Sequence, residues 1–277
     1  RGAAGRGDAQ ALYFLAKQYA KGDGVPQDYT KAAEYMHQSA ERGYAFAQND
    51  LGVLYAKGLG VTKDDQEAAR WYRRAAENGD PLAQYSLGRI CFEGQGVPTN
   101  ITESLKWYHQ AAKQGQTDAM LALGYIYLNG SADVPVDCKI ASQWFQQAVS
   151  NGRVSALNPL GSIYEHGGAG INPDLLRAVK CYREAAEKND SDGQLNLGRM
   201  YLDGSGVEND PVEAFKWFYL ASRNGDGVAN HYLQELRGES PLKGQVLTSS
   251  QISEAICRAE QFAGTTAKKE KPSSNQK

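Results

Sequence analysis

The sequence predicts an all-α fold: a right-handed α/α superhelix, or solenoid, of six helix-turn-helix repeats closed by C-terminal capping helices. Three observations predict it. One pattern of apolar residues and glycine returns every 36 or 37 residues, each copy carries two stretches with helical periodicity, and a glycine-rich turn separates the two. Periods of this length belong to architectures in which no single unit can bury its apolar face, so stacked neighbours build the core.

The first helix of each repeat is marked by three columns. Leu15, Leu51, Leu87, Leu123, Leu160 and Leu197 form one. Ala16, Gly52, Gly88, Gly124, Gly161 and Gly198 form the next, and Tyr19, Tyr55, Cys91, Tyr127, Tyr164 and Tyr201 the third. Within one copy, Ala47, Leu51 and Tyr55 fall at i, i+4 and i+8, a single helical face. Glycine inside a helix costs about 1 kcal/mol relative to alanine. Its use at five of six positions predicts a neighbour too close for a side chain.

The second helix shows the stripe Ala68, Trp71, Tyr72, Ala75 and Ala76. All four tryptophans, Trp71, Trp107, Trp144 and Trp217, share one column of it. An aromatic that recurs at the repeat period is expected in the core between repeats, with Leu51, Gly52 and Tyr55. Cys91 replaces a column tyrosine and Cys181 a column tryptophan, so both are expected as buried small hydrophobes.

The turns Gly22-Asp23-Gly24-Val25, Gly58-Leu59-Gly60-Val61, Gly94-Gln95-Gly96-Val97 and Gly204-Ser205-Gly206-Val207 are near copies. Glycine just past a helix end supplies the left-handed cap. Asp64 with Glu67, Asn100 with Glu103 and Asp210 with Glu213 have capping-box spacing, and Asp28, Asp137 and Asp174 take the same place. Repeat 5 is irregular. Pro159 stands directly before Leu160, so the helix either starts late, with Asn158 as its N-cap, or kinks.

The skeleton Ala-x-x-x-Leu-Gly-x-x-Tyr-x-x-Gly-x-Gly-Val followed by Ala-x-x-Trp-Tyr-x-x-Ala-Ala resembles the Sel1-like repeat, a relative of the tetratricopeptide repeat. On this reading residues 1–7 are an N-terminal flank. Residues 8–227 hold six repeats at about 8–43, 44–79, 80–115, 116–152, 153–189 and 190–227. Residues 228–263 are capping helices, opened by the capping box Thr248 to Gln251, and 264–277 a disordered tail. The end of the chain is similar to that of bacterial members.

The resemblance implies a protein–protein interaction scaffold or adaptor whose first helices line a concave face. Partner-binding positions are then those the core columns leave free: Tyr13, Lys17, Asn49, Val53, Tyr85, Arg89, Phe92, Leu121, Tyr125, Leu128, Asn158, His166, Leu195 and Arg199. Repeats 3 and 4 concentrate the aromatic, arginine and leucine side chains of this set, and tyrosine and arginine are enriched at binding hot spots.

Composition narrows the alternatives. Basic and acidic residues number 30 and 32, for a net charge of −2, which provides no electrostatic footprint for nucleic acid. No apolar run is long enough for membrane insertion. The four cysteines form no CxxC and accompany no histidine pair, and no HExxH, Gly-x-Ser-x-Gly or Ser-x-x-Lys occurs. Neither a metal, a cofactor nor a catalytic constellation is therefore expected.

Cysteine-rich members of the resembled family pair cysteines at seven-residue spacing, which this chain lacks. That removes the basis for carrying over their β-lactam chemistry. A hydrolase acting on β-lactam or peptidoglycan-type substrates, and a self-associating structural protein, stay as alternatives to a protein- or peptide-binding chain that is monomeric or weakly self-associating. The chain opens on Arg1, so a processed or truncated product is expected, with a periplasmic or extracellular setting favoured over the cytoplasm.

Overall fold

The computed structural model describes residues 8–131, 133–239 and 246–269, the side chains of 266–269 excepted. Among these residues the chain is helical, apart from two isolated antiparallel bridges, Ser131 with Val134 and Gly168 with Ile171. The helices are α1 (Ala9–Lys21), α2 (Tyr29–Glu41), α3 (Ala45–Lys57), α4 (Asp65–Glu77), α5 (Pro81–Glu93), α6 (Ile101–Lys113), α7 (Thr117–Asn129), α8 (Cys138–Ser150), α9 (Leu157–His166), α10 (Leu175–Glu187), α11 (Ser191–Asp203), α12 (Pro211–Arg223), α13 (Gly227–Leu236) and α14 (Ser249–Lys269). A 3₁₀ turn at Val154–Ala156 precedes α9. The chain divides into two compact units, residues 1–135 and 136–277.

In the first unit the helices α1 to α7 pack each on the next. The leucine column is sealed: Leu51, Leu87 and Leu123 are each 0% exposed. The glycine column works as its helical cost implies. A Cβ on Gly52 would stand 2.8 Å from the Tyr72 ring, and one on Gly88 2.8 Å from Tyr108. The close neighbour is thus the aromatic of the repeat's own second helix. Repeat 1 carries Met36 at the ring position, and there the column relaxes to Ala16, which shares a buried cluster with Met36. Trp71 and Trp107 close the seams between repeats, Trp107 lying among Ala68, Ala69 and Tyr72 of the preceding repeat.

The second unit repeats this packing. Gly161 faces Tyr182 and Gly198 faces Phe218, both with a Cβ distance of 2.6 Å. Trp217 is buried, whereas Trp144 is half-buried. The capping helix α14 packs on α12, with Ala255 and Ala259 fully buried and Phe262 edge-on to Trp217 at 5.2 Å. It is opened by the Thr248–Gln251 capping box: Gln251 Oε1 accepts from the Thr248 amide at 2.9 Å, and the Gln251 amide donates to Thr248 Oγ1 at 3.3 Å. The helix continues to Lys269, which corrects the placing of 264–269 in a disordered tail. Good helix formers, Ala267, Lys268 and Lys269, outweigh Gly264, and no proline intervenes before Pro272. The flank 1–7, tail residues 270–277 and most of the basic cluster lie outside the described residues.

The turns do two jobs. Gly22, Gly58, Gly94 and Gly204 adopt the left-handed cap. The second glycine of the turn instead seats one repeat on the previous one. A Cβ at Gly60 would fall 1.9 Å from the carbonyl oxygen of Tyr29, the first residue of α2, and one at Gly96 2.1 Å from that of Asp65. In the second unit Gly206 meets Leu175 at 2.7 Å, and Gly168 meets Cys138 Sγ at 2.5 Å. Cys138 is therefore buried at the start of α8 by the turn of the next repeat.

Two local expectations are corrected. The capping boxes at Asp64, Asn100 and Asp210 are half-formed. Their side chains accept from the amides of Glu67, Glu103 and Glu213. Their own amides, however, donate to the backbone of Tyr55, Cys91 and Tyr201 in the preceding helix. The glutamates are left free to pair elsewhere, Glu103 with Arg73 and with Trp107 Nε1. Asn158 is not an N-cap: α9 begins at Leu157, and Pro159 occupies the first turn. There a missing amide removes no intrahelical bond, so the helix shortens to 10 residues behind its 3₁₀ lead-in without breaking.

A polar ladder also joins the repeats. Gln48, Gln84 and Gln194 are buried; each Nε2 donates to the last helical turn of the preceding repeat, at Ala40, Ala76 and Ala186. Each Oε1 accepts from a residue just past its own second helix: Asn78, Gln114 and Asn224. Gln194→Leu removes a donor and an acceptor together, and with them the bonds to Ala186 and Asn224 that tie the repeats. A loss of about 1–3 kcal/mol in urea denaturation is expected. A neutral result would make these glutamines mere packing residues, as Met120 is at the same position of repeat 4.

Candidate partner-binding site

The predicted inner positions divide by what the first helices do with them. In the first unit Tyr13 and Lys17 of α1 both reach Asp50 of α3, with distances to Oδ2 of 3.2 and 2.9 Å. Burial, then the Asp50 carboxylate, pushes the Tyr13 phenol upward. Asn49 is only 7% exposed, which corrects its placing on the binding surface. Its column faces the seam to the next repeat rather than solvent. The equivalent Asn158 donates to Asp190, the N-cap of α11, at 2.7 Å. For the same reason Tyr85 and Leu195 are half-buried, Tyr85 lying 5.8 Å from the Tyr108 ring and Leu195 against the core of the last repeats; Leu121 is half-buried as well. Val53 packs on the core beneath it.

Asp80 caps α5 through the Ala83 amide at 2.7 Å while its Oδ2 is buried without a hydrogen-bond partner. Burial raises its carboxyl above the ordinary aspartate range. Asn49 Oδ1 is likewise buried and unpaired.

Phe92 and Tyr125 are different. They are 39% and 44% exposed, and they flank a cleft of about 200 Å³ floored by Tyr108, Ala122 and Ile126. Asn129 and Gly130 close its end. Arg89 stands one turn away on α5, held by Glu93 at 2.7 Å. Leu128 is half-buried outside the lining. Of the aromatic cluster expected in repeats 3 and 4, the structure thus brings Phe92 and Tyr125 to one opening. Tyr108, the repeat-3 counterpart of Tyr72, is 3% exposed, yet it lines the floor. The signal for the opening was Ala122, small where repeat 2 has Asp50 and repeat 3 has Ser86.

In the second unit the predicted polar residues contact neighbouring groups outside the set. Arg199 lies 3.7 Å from Glu165, and Glu165 also accepts from Tyr182 Oη at 2.8 Å. His166 is exposed, its Nδ1 3.1 Å from the Ser162 carbonyl. The four cysteines are free thiols. Burial pushes Cys91 and Cys181 up to about 11, so both stay protonated at neutral pH. Among the described residues no three of His, Cys, Asp and Glu are grouped as a metal would need, and no helix is long and apolar enough to cross a membrane.

The Sel1 repeat matches at residues 9–44, 45–80, 81–116, 117–152, 154–190 and 191–226. The chain is a member of the Sel1 repeat family. The Sel1 repeat protein from Oxalobacter formigenes is 32% identical over 84% of this chain and 67% of its own, with a TM-score of 0.72. A putative Sel1 repeat protein from Klebsiella pneumoniae is 25% identical over 71% of this chain and 95% of its own, with a TM-score of 0.47. The protein c5321, described as a protective antigen of uropathogenic Escherichia coli with an SLR fold, is 26% identical over 99% of this chain and 74% of its own, with a TM-score of 0.41. No curated protein matches the chain. Each matched repeat begins one residue later than the sequence pattern places it; the fourth ends at the same residue and the sixth one residue earlier.

Proposed function

We propose that this Sel1 repeat protein is a non-catalytic adaptor that binds a protein or peptide partner through its first helices, anchored at the Phe92–Tyr125 cleft. The observation that carries the reading is this opening: two exposed rings over an apolar floor, at positions where the repeats differ from one another. Its size favours a macromolecular partner over a small molecule. Small-molecule pockets run to about 300–1,000 Å³, whereas about 200 Å³ suits one anchoring side chain of a larger partner. Arg89 supplies a cation at the rim, and its pairing with Glu93 within one helix is solvent-exposed and weak enough to exchange for a partner's carboxylate.

The test compares wild type with Phe92→Ala and Tyr125→Ala in binding to a partner recovered by cross-linking. Hot-spot truncations cost at least about 2 kcal/mol, so each change should weaken the complex on the order of 30-fold. Circular dichroism should be unchanged, because both side chains are exposed. Undiminished affinity in the double variant would remove the cleft from the binding surface.

A further inference from the structure

We propose that the second unit holds a separate binding site, between α8 and α10, for an aromatic ring carrying a carboxylate. This site does not depend on the Phe92–Tyr125 cleft. It arises where the tryptophan column fails. In repeats 2, 3 and 6 the column indole covers the groove between consecutive second helices, or the last helix stack, and is 3–6% exposed. In repeat 5 that place belongs to Cys181, and the groove opens into a cleft of about 430 Å³. Its walls are apolar: Val149 of α8, Leu157, Leu160 and Tyr164 of α9, and Cys181 itself.

The equivalent groove in the first unit shows what the missing indole changes. There Trp71 is in place, edge-on to His37 at 5.4 Å, and the surrounding side chains are charged: Glu41, Glu67, Arg70 and Arg74. That groove also encloses about 440 Å³, but no first-helix residue lines it. With a thiol in place of the indole, the first-helix residues Leu157, Leu160 and Tyr164, each only 2–7% exposed, join the lining, and a ring can lie over them.

The rim identifies the rest of the ligand. Lys180 occupies the position of Lys106 and Lys216, whose ammonium groups lie 5.2 Å and 4.2 Å from the centroids of the Trp107 and Trp217 rings. Lys180 keeps the cation, but its own repeat has no ring for it, and among the described residues it has no ion-pair partner. The second rim change is a reversal of charge. Glu67, Glu103 and Glu213 occupy one position in repeats 2, 3 and 6, and Glu103 accepts the indole N–H of Trp107 at 3.2 Å. Repeat 5 has Arg177 there, 66% exposed and 3.2 Å from Asp174. An acceptor for an N–H has become a donor for an anion. Glu184, the acidic residue at the rim, is already paired with Lys188 at 3.1 Å. A ring in the vacated position would lie beside Lys180, and a carboxylate next to the ring would meet Arg177.

That chemistry has two sources, a free aromatic acid or the aromatic C-terminal residue of a peptide. Saturation-transfer NMR with indoleacetate and with N-acetyltryptophan separates them, and indoleacetamide tests the carboxylate. Saturable binding of at least one acid is expected in the millimolar range or tighter, with the amide at least about fivefold weaker. Tighter binding of indoleacetate favours the free acid, and tighter binding of N-acetyltryptophan favours the peptide end. Cys181→Trp restores the indole and should abolish binding. Arg177→Glu, at an exposed position, leaves the floor open and should weaken the acids at least about fivefold while leaving the amide unchanged. Absence of binding by both acids, or binding equally strong in Arg177→Glu, overturns the proposal.

Discussion

Gly60→Ala should destabilise the chain by about 3–4 kcal/mol, while Gly24→Ala, at the same position one repeat earlier, should cost about 1 kcal/mol. The two glycines share a conformation, φ +72° and +70°. A left-handed alanine costs roughly 1–2 kcal/mol wherever it stands, so that strain is common to both. The surroundings differ. A Cβ at Gly24 meets nothing within 4 Å, because no repeat precedes it among the described residues. A Cβ at Gly60 lies 1.9 Å from the carbonyl oxygen and 2.3 Å from the carbonyl carbon of Tyr29. The obstacle is backbone at the first turn of α2, which cannot rotate away, so repeat 2 must lift from repeat 1; overpacking of this kind adds about 1–3 kcal/mol. Gly96→Ala, at 2.1 Å from Asp65, should match Gly60→Ala, and Gly206→Ala, at 2.7 Å from Leu175, should fall between the extremes. Denaturant midpoints for the four variants check the order. Equal losses at Gly24 and Gly60 would show that the turn matters only for its dihedral angles.

The contrast between these two glycines also marks how far the sequence could be read. Gly24, Gly60 and Gly96 look identical in the repeat, and each was legible as a turn residue. Its second role depends on which backbone the next layer brings opposite, which no pattern within one repeat contains. The same holds elsewhere. Gly52 and Gly88 were legible as close-approach positions, and the substitution of Ala16 where Met36 replaces the ring was already in the columns. Asp64 and Asn100 were legible as N-caps, but not that their amides turn back to Tyr55 and Cys91.

For the candidate site, the exposed rings Phe92 and Tyr125 followed from subtracting the core columns. Asn49 did not follow, because a position free of the column is not thereby free of the neighbouring repeat. Cys181 was legible as a substituted tryptophan. That its thiol would leave a cleft, rather than a collapsed seam, depends on Leu157, Leu160 and Tyr164 staying where α9 holds them.

Ala255→Asp should detach the capping helix at a cost of about 3–5 kcal/mol, with the damage confined to the end of the second unit. Ala255 is fully buried against α12, in a cluster with Phe215, Phe218, Leu233 and Leu236. A carboxylate there has no cation within the cluster, and an uncompensated buried charge costs about this much. The alternative is for α14 to leave. Departure also gives up the Trp217–Phe262 contact, the Lys216 ammonium set 4.2 Å and 5.5 Å from those two rings, and the Arg258–Glu213 pair at 3.4 Å.

Because stacked repeats contact mainly their neighbours, the loss should propagate no further than α12 and α13. Hydrogen exchange should therefore speed up across α12–α14 while amides of α9 and α10 keep their protection. Trp217, at 3% exposure, should shift to a solvated emission spectrum. Ser253→Asp supplies the control: it places the same charge on the exposed face of the same helix, within its first turns, where a carboxylate complements the helix dipole. Ser253→Asp should leave stability within about 0.5 kcal/mol of wild type. If both substitutions were equally harmful, the helix would be responding to charge in general, and its burial on α12 would not be what closes the stack.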